Sequence, residues 1–567
     1  MRRGLRGQRW QLRPPPPPDA LAGSPYPPLI RQLLWHRGVA SVAEAERFFA
    51  QTPTEHDPFL LPEIGRALAC LRRAILEGEA VAVFGDFDVD GVTAAALLTE
   101  TLRDLGATAV PYIPDRFSEG YGLNIPALQM LAEAGVRTLV AVDCGTTALA
   151  EVAEARRLGM EVVVLDHHTV LDSLPGAVAT VNPKRSDSRY PQPELASVGL
   201  AYKLAAALYD SLARPFPDHI YLDLVALGTV TDLVPLVDEN RWLLQRGLRA
   251  LRRTERPGLR ALIEESGLAG REVDVWAIGW VLGPRLNAAG RLAHARQALE
   301  LLLTRDEGEA RRLALELCRL NQERQQQTEA ALALAQEMVA SEGPAPLIFV
   351  GHPDIPAGIV GLVASRLAEE HYRPAIVCEV GPQFSRGSGR SIPEFDIVAA
   401  LRSCGDLFVK YGGHRQAAGF TARSERLDEI RDLLRERAAR ELAGVELVPL
   451  LEIDLPLPLR SLRGELVRWL ERFHPFGPGN PEPAFLARGV SVVDVRPAGD
   501  GGRHLRLKLR DGPVVWPGTA FGLGDAPLRP GETVDVVYSL ARDRAREGLL
   551  ELRIKDIAPA EPGLLPS

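Results

Sequence analysis

Apolar runs of strand type alternate with stretches of helical period over the first third of the chain. The run Val81 to Gly85 is followed by Leu97, Leu98 and Leu102 at helical spacing over 93–105, then by a strand at 109–113 and a helix over 126–134. A strand at Thr138–Val142, a helix over 148–158 and a strand at Glu161–Leu165 repeat the alternation. This predicts an α/β fold, a parallel sheet with helices on both faces. A helical pattern over 63–76 precedes the first strand, and 221–230 is apolar with helical character. Residues 241–340 read as mostly helix, with Leu313, Leu317 and Leu320 on one stripe, a connector between two lobes. A second α/β pattern opens at 346–350 and continues with a helix over 358–367 and a strand at 375–380. From about Glu446 the pattern shortens to strands at 490–495, 505–509, 533–538 and 549–554, as in a small barrel. The expected division is an N-terminal arm or cap over 1–55, an α/β domain over 56–240, a helical connector over 241–343, a second α/β domain over 344–445 and a β-barrel over 446–567.

Charged residues gather where the strands end. Asp86, Asp88 and Asp90 follow the first strand at every second position, and extended chain would point them to one side. Like charges that close repel unless protons or cations neutralise them. A divalent metal does so directly, because hard cations take several carboxylate oxygens. The next strands end in Asp143-Cys144-Gly145 and in Asp166-His167-His168. Ligands of parallel sheets bind at the carboxyl ends of strands, so Asp88, Asp90, Asp143, Asp166, His167 and His168 are expected at one edge. Neighbours in extended chain face opposite ways, so one of the two histidines can ligate metal while the other faces substrate or a carboxylate. Asp232 interrupts an apolar run and needs a partner or a metal; Asp223 competes with it in the same stretch.

Other stretches suggest phosphate contact. A loop from Gly283 to Arg291 holds Arg285, Asn287 and Arg291 among flexible glycines. Ser385 to Ser391 combines small residues with Ser388 and Arg390, which lets backbone and side chains approach a phosphate. Tyr411-Gly412-Gly413-His414 is a further glycine-backed polar tip. His504 to Arg510 alternates basic residues with leucine, one face cationic and one buried, which suits contact with a single strand.

Composition changes this picture little. A net charge of -8 does not announce a nucleic-acid binder, but a basic groove can sit on an acidic protein. The five cysteines are scattered, against a zinc knuckle or a disulfide framework and in keeping with a reducing cytoplasm. No apolar run reaches the length of a membrane span. The basic N-terminus runs into Pro14 to Pro18 without an apolar segment, so no signal peptide is expected.

The Asp-His-His at 166–168, with Gly-Asp-Phe-Asp-Val-Asp-Gly at 85–91, resembles the DHH phosphoesterase superfamily. Stretches 113–124, 223–235, 283–292, 386–391, 412–421 and 476–483 together are similar to the RecJ family of single-strand-specific 5′→3′ exonucleases. The resemblance implies a DHH domain joined by a long helix to a DHH-associated domain, with an OB-type barrel closing a groove. It implies two Mn²⁺ or Mg²⁺ ions on Asp88, Asp90, Asp143, His167 and Asp232, with Asp143 bridging and Asp86 in the same motif. His168 would assist the attacking water or the scissile phosphate, alongside Asp143 and Asp90. Arg116, Arg285, Asn287, Arg291, Ser388, Arg390 and His414 would hold substrate phosphates. It further implies a cytoplasmic monomer acting on single-stranded DNA in repair and recombination, with single-strand-binding protein and a RecQ-type helicase as partners. The chain departs from the family's usual tyrosine at Phe87, its alanine at Val89 and its asparagine at Cys144. The alternatives are a DHH enzyme cleaving short oligonucleotides or cyclic dinucleotides, which a comparison of long and dinucleotide substrates discriminates, and a non-catalytic DNA-binding scaffold, which hydrolysis with added Mn²⁺ discriminates.

Overall fold

The computed structural model describes residues 2–49, 54–543 and 549–560; the remaining positions of the terminal ranges lie outside the described residues. The chain forms two compact units, Thr54–Val445 and a split unit of Met1–Pro53 with Glu446–Ser567. No described helix is long and apolar enough to cross a membrane.

In the unit Thr54–Val445, the first sheet is parallel and five-stranded, in the order Thr108–Tyr112, Ala80–Gly85, Thr138–Val142, Glu161–Leu165, Ala179–Val181. Its strands are apolar on both faces because both are covered. Val81 and Val83 join a core with the helices Val89–Asp104, Ser197–Ser211 and Leu222–Thr231, while Ala82 and Phe84 join a second core with Ile125–Glu133 and Leu149–Arg157. The connector is helical and ends in the 36-residue helix Glu307–Glu342, whose N-cap Asp306 accepts the Glu309 N–H at 2.7 Å. The buried Arg256 binds Glu100 at 2.6 Å and Asp223 at 3.2 Å. Asp223, the competitor of Asp232 in the sequence, is thus a partner of a buried guanidinium.

The expected loop and the serine- and glycine-rich stretch of the second lobe are both regular structure. Gly283 to Arg291 lies within the helix Gly283–Leu292. Its glycines serve close packing: a Cβ on Gly283 would lie 2.5 Å from Thr231 Cγ2. Ser385 to Arg390 belongs to Phe384–Arg390, the central strand of the second sheet. There the glycines make room for cover, since an added Cβ would lie 2.3 Å from Phe420 Cζ at Gly387 and 2.4 Å from Ile397 Cδ1 at Gly389. The sheet order is Phe408–His414, Ala417–Arg423, Phe384–Arg390, Ala375–Glu379, Ile348–His352, antiparallel except for the last pair. Tyr411 to His414 completes its edge strand, so the turn itself comes one residue later, at Arg415.

In the split unit, five long strands close into a barrel, because Phe485–Ala498 pairs both with His504–Asp511 and with Thr533–Arg542. Val514–Ala520 and Leu550–Pro559 complete the ring. Leu505, Leu507 and Leu509 point into the core, and Arg506, Lys508 and Arg510 are exposed. The N-terminal segment is built into this unit. Arg9–Leu12 pairs in parallel with Leu450–Ile453, and Ile30, Leu33, Leu34 and Phe48 share the barrel's core. The buried Trp10 donates from Nε1 to Asp556 Oδ2 at 2.9 Å. Trp10→Ala removes a large buried ring and orphans part of that carboxylate. It should destabilise the split unit by about 3–5 kcal/mol, read as a lower midpoint in thermal unfolding.

Candidate active site

The register of the first sheet sets the site. Gly85 lies beside Val142, and Val142 beside Leu165, so Asp86, Asp143 and Asp166 leave neighbouring strand ends side by side. After Asp86 the chain does not stay extended as expected. The helix Val89–Asp104 begins at once, with Asp88 as its N-cap accepting the Gly91 N–H at 3.1 Å, and Asp90 in its first turn. The Asp88 carboxylate thereby satisfies one of the N–H groups that a helix N-terminus leaves open. The three aspartates therefore divide. Asp86 and Asp88 converge with Asp143, whereas Asp90 converges with His167 and Asp232; Asp143 also groups with His167 and His168. Asp143 has φ 61°, a left-handed conformation that aspartate tolerates better than most residues. Asp232 is the C-cap of Leu222–Thr231. One turn earlier, Gly228 admits the carboxylates, since a Cβ there would lie 2.6 Å from Asp90 Oδ1.

Asp90 is held by the N-terminus of Ser197–Ser211, accepting the Ser197 and Val198 N–H groups at 2.7 and 2.9 Å, where the helix dipole favours an anion. The Ser197 hydroxyl donates to Asp143 Oδ1 at 2.9 Å. Burial and the nearby Asp88 still push Asp90 up to about 7. Burial with Asp90 and Asp88 takes Asp232 to about 9. Asp86 and Asp143 are likewise raised well above the usual carboxylate range, by burial first and Asp88 next. His167 goes the other way, burial and His168 pulling it down to about 3, so its ring is neutral. Its Nε2 stands 3.4 Å from Asp143 Oδ1, 3.4 Å from Asp232 Oδ2 and 4.0 Å from Asp90 Oδ2. Among the described residues neither ring nitrogen finds a hydrogen-bond partner, nor does the buried Asp86 Oδ1. Lone pairs facing lone pairs out of water are reconciled by a cation. Carboxylates with one imidazole suit Mn²⁺ or Mg²⁺, so the residues present fit the metals expected.

His168 is differently engaged. Its Nδ1 lies 2.8 Å from Asp166 Oδ1, which also accepts the His167 and His168 N–H groups at 2.8 and 3.1 Å. Asp166 Oδ2 takes the Thr146 N–H at 2.9 Å. Although burial opposes it, the Asp166 hydrogen bond raises His168 to about 9. Asp166 is thus committed to orienting the loop. His168 Nε2 is 3.4 Å from the Tyr121 hydroxyl, which donates to the Asp143 carbonyl at 3.3 Å. Ser197 and Tyr121 were not singled out from sequence. A serine opening a helix and a tyrosine in a glycine loop are too common to stand out.

Beside the carboxylates lies a set of guanidiniums. Burial, then Arg116, Arg324 and Arg390, pulls Arg291 down to about 9. Arg390 is lowered by burial and Arg116, and its Nη1 donates to Ser388 Oγ at 2.8 Å. Among the described residues none of Arg116, Arg291, Arg324 and Arg390 pairs with a carboxylate. Arg324, from the long helix, carried no sequence signal. Arg285 stands apart, with Nε on Cys318 Sγ at 3.3 Å and Nη1 on the Val281 carbonyl at 2.8 Å. Asn287 is half-buried on the same helix. His414 lies close enough to His168 that their charges oppose one another. Unpaired anions beside unpaired guanidiniums are the complement of divalent cations beside phosphate.

Carboxyls raised in the folded state bind protons that the unfolded chain releases. Stability of the metal-free protein should therefore fall as pH rises from about 5 through the Asp90 and Asp232 values of about 7 and 9. Thermal midpoints measured with chelator at pH 6 and pH 9 should show this fall, and added Mn²⁺ should remove it.

The DHH family N-terminal domain matches residues 80–229, the DHHA1 domain 343–440 and the RecJ OB domain 453–556. The single-stranded-DNA-specific exonuclease RecJ of Bacillus subtilis (strain 168) is 37% identical over 542 residues, covering 94% of this chain and 68% of the relative. The crystal structure of RecJ from Thermus thermophilus in complex with Mn²⁺ is similar at TM-score 0.84 and 32% identity, over 98% of this chain and 80% of that one. Its counterpart in complex with Mg²⁺ has TM-score 0.78 and 32% identity, over 98% and 79%. With its sheet, long helix, second α/β lobe and barrel, the chain belongs to the RecJ family of single-stranded-DNA-specific exonucleases.

Proposed function

We propose that this protein is a metal-dependent 5′→3′ exonuclease that degrades single-stranded DNA to mononucleotides, acting in repair and recombination. The observation that carries the reading is the uncompensated carboxylate–imidazole set lying beside uncompensated guanidiniums within one unit. In this reading Asp88, Asp90, Asp143, His167 and Asp232 would hold two divalent ions, Mn²⁺ or Mg²⁺, with Asp86 beside them. The chemistry supplied by the ions, when bound, is Lewis-acid polarisation of the scissile phosphodiester.

The chain's own groups bind, orient and move protons. Arg116, Arg291, Arg390, Ser388 and His414 hold the 5′-terminal phosphate and so bring the next phosphodiester over the carboxylates. Ser197 keeps Asp143 in place through its hydroxyl and Asp90 through its N–H. Asp166 occupies His168 Nδ1, which leaves Nε2 as the atom that gives a proton to the departing 3′-oxygen. Water adds to phosphorus and releases a proton to solvent, the bond from phosphorus to that oxygen breaks as His168 protonates it, and a 5′-mononucleotide leaves. The exposed Arg506, Lys508 and Arg510 of the barrel support a long strand as substrate rather than a dinucleotide.

Strands labelled at the 5′ or 3′ end should release labelled mononucleotide early only from the 5′ label, and only with Mn²⁺ or Mg²⁺. Asp143→Ala should lower the rate at least about a thousandfold while the strand still binds in a gel-shift measurement. An active Asp143→Ala enzyme would overturn the assignment.

A further inference from the structure

We propose that Phe87 is a positioning residue whose ring holds the Arg116 guanidinium in place to meet the terminal phosphate; this rests on the phosphate reading of Arg116 given above. Phe87 sits between Asp86 and Asp88 and supplies no metal-ligating atom. The Arg116 Cζ lies 4.9 Å from the centroid of its ring. Among the described residues that guanidinium makes no hydrogen bond or ion pair. The backbone around it is tied independently, because Asp115 Oδ1 accepts the Phe117 and Ser118 N–H groups at 3.1 and 2.8 Å. The loop is thus fixed without Phe87, and the Arg116 side chain is not.

Two neighbours set the ring itself. Tyr121 meets it edge to face, with centroids 6.1 Å apart at 80°. The helix Gly283–Leu292 passes so close that a Cβ on Gly290 would lie 3.0 Å from the Phe87 carbonyl oxygen and 3.7 Å from its Cβ. The ring's purpose follows from what surrounds the cation. Asp86 and Asp88 attract Arg116, and an arginine free to swing would fold onto them. It would then cancel charge meant for a metal and leave the phosphate unheld. An aromatic face attracts a guanidinium and weights its equilibrium against that swing, and tyrosine offers the same face.

The experiment compares kcat/KM on 5′-phosphorylated and 5′-hydroxyl single strands for wild type, Phe87→Leu, Phe87→Tyr, Arg116→Ala and the double variant Phe87→Leu/Arg116→Ala. Preference for the phosphorylated end should fall about tenfold in Phe87→Leu, with the loss in KM rather than kcat, and survive in Phe87→Tyr. The double variant should be no worse than Arg116→Ala alone. Phe87→Leu should also need more Mn²⁺ for half-maximal rate. Phe87→Met, unbranched and able to fill an irregular gap, gives the same comparison if the leucine variant is unstable. A wild-type preference in Phe87→Leu or Phe87→Met, with the preference lost in Arg116→Ala, overturns the platform and leaves the phosphate reading standing. An unchanged preference in Arg116→Ala overturns that reading and the platform with it.

Discussion

Asp86, Asp90 and Asp143 are each 2% exposed or less, and they converge on an uncharged imidazole and on one another. Removing carboxylates from water without a counter-charge costs several kcal/mol each, and among the described residues only His168, with Nδ1 4.0 Å from Asp143 Oδ1 and already committed to Asp166, brings a cation to the point of convergence. The fold tolerates the arrangement by spreading it over rigid supports. Parallel strands in fixed register deliver Asp86 and Asp143, a helix N-terminus takes both oxygens of Asp90, and Asp166 absorbs the backbone donors of the histidine loop. The donors are therefore organised before any ion arrives, which is the condition for tight and selective coordination.

The arginines obey the same rule with the opposite sign. Elsewhere in this chain buried guanidiniums find carboxylates, as Arg256 does with Glu100 and Asp223. Arg291 and Arg390 do not, although carboxylates stand nearby. Keeping the two charge sets apart is what leaves each with an unsatisfied demand, one for cations and one for anions. The close approaches at Gly228 and Gly290 bring the helices near enough to hold the two sets side by side without merging.

Strand ends were the most legible part of the chain. An apolar run that stops at an aspartate states both the sheet and the edge on which chemistry gathers, and Asp143 and the Asp-His-His triplet could be located from that alone. The division of labour within the aspartates was not legible, because it depends on where the next helix starts. A capping Asp88 rotates Asp90 away from Asp86, whereas extended chain would have aligned them. Glycine has one use in both lobes, and it made a loop of a helix over 283–291. In Gly283–Leu292 and Phe384–Arg390 it admits a neighbouring side chain rather than bending the backbone, and composition cannot separate the two uses. Arg324 and Ser197 contribute through tertiary placement, which no local pattern encodes.

The parallel pairing of Arg9–Leu12 with Leu450–Ile453 has a bearing on how the molecule is made. Hundreds of residues separate the two strands, and the first emerges from the ribosome long before its partner exists. The central unit draws its contacts from within 54–445 and can form while synthesis continues. The segment that precedes it must meanwhile wait for the partners of Trp10, Leu33 and Phe48, which lie beyond residue 446, to be translated. In order of assembly the central unit is an insertion into the split one, and a segment synthesised before it is placed only after it.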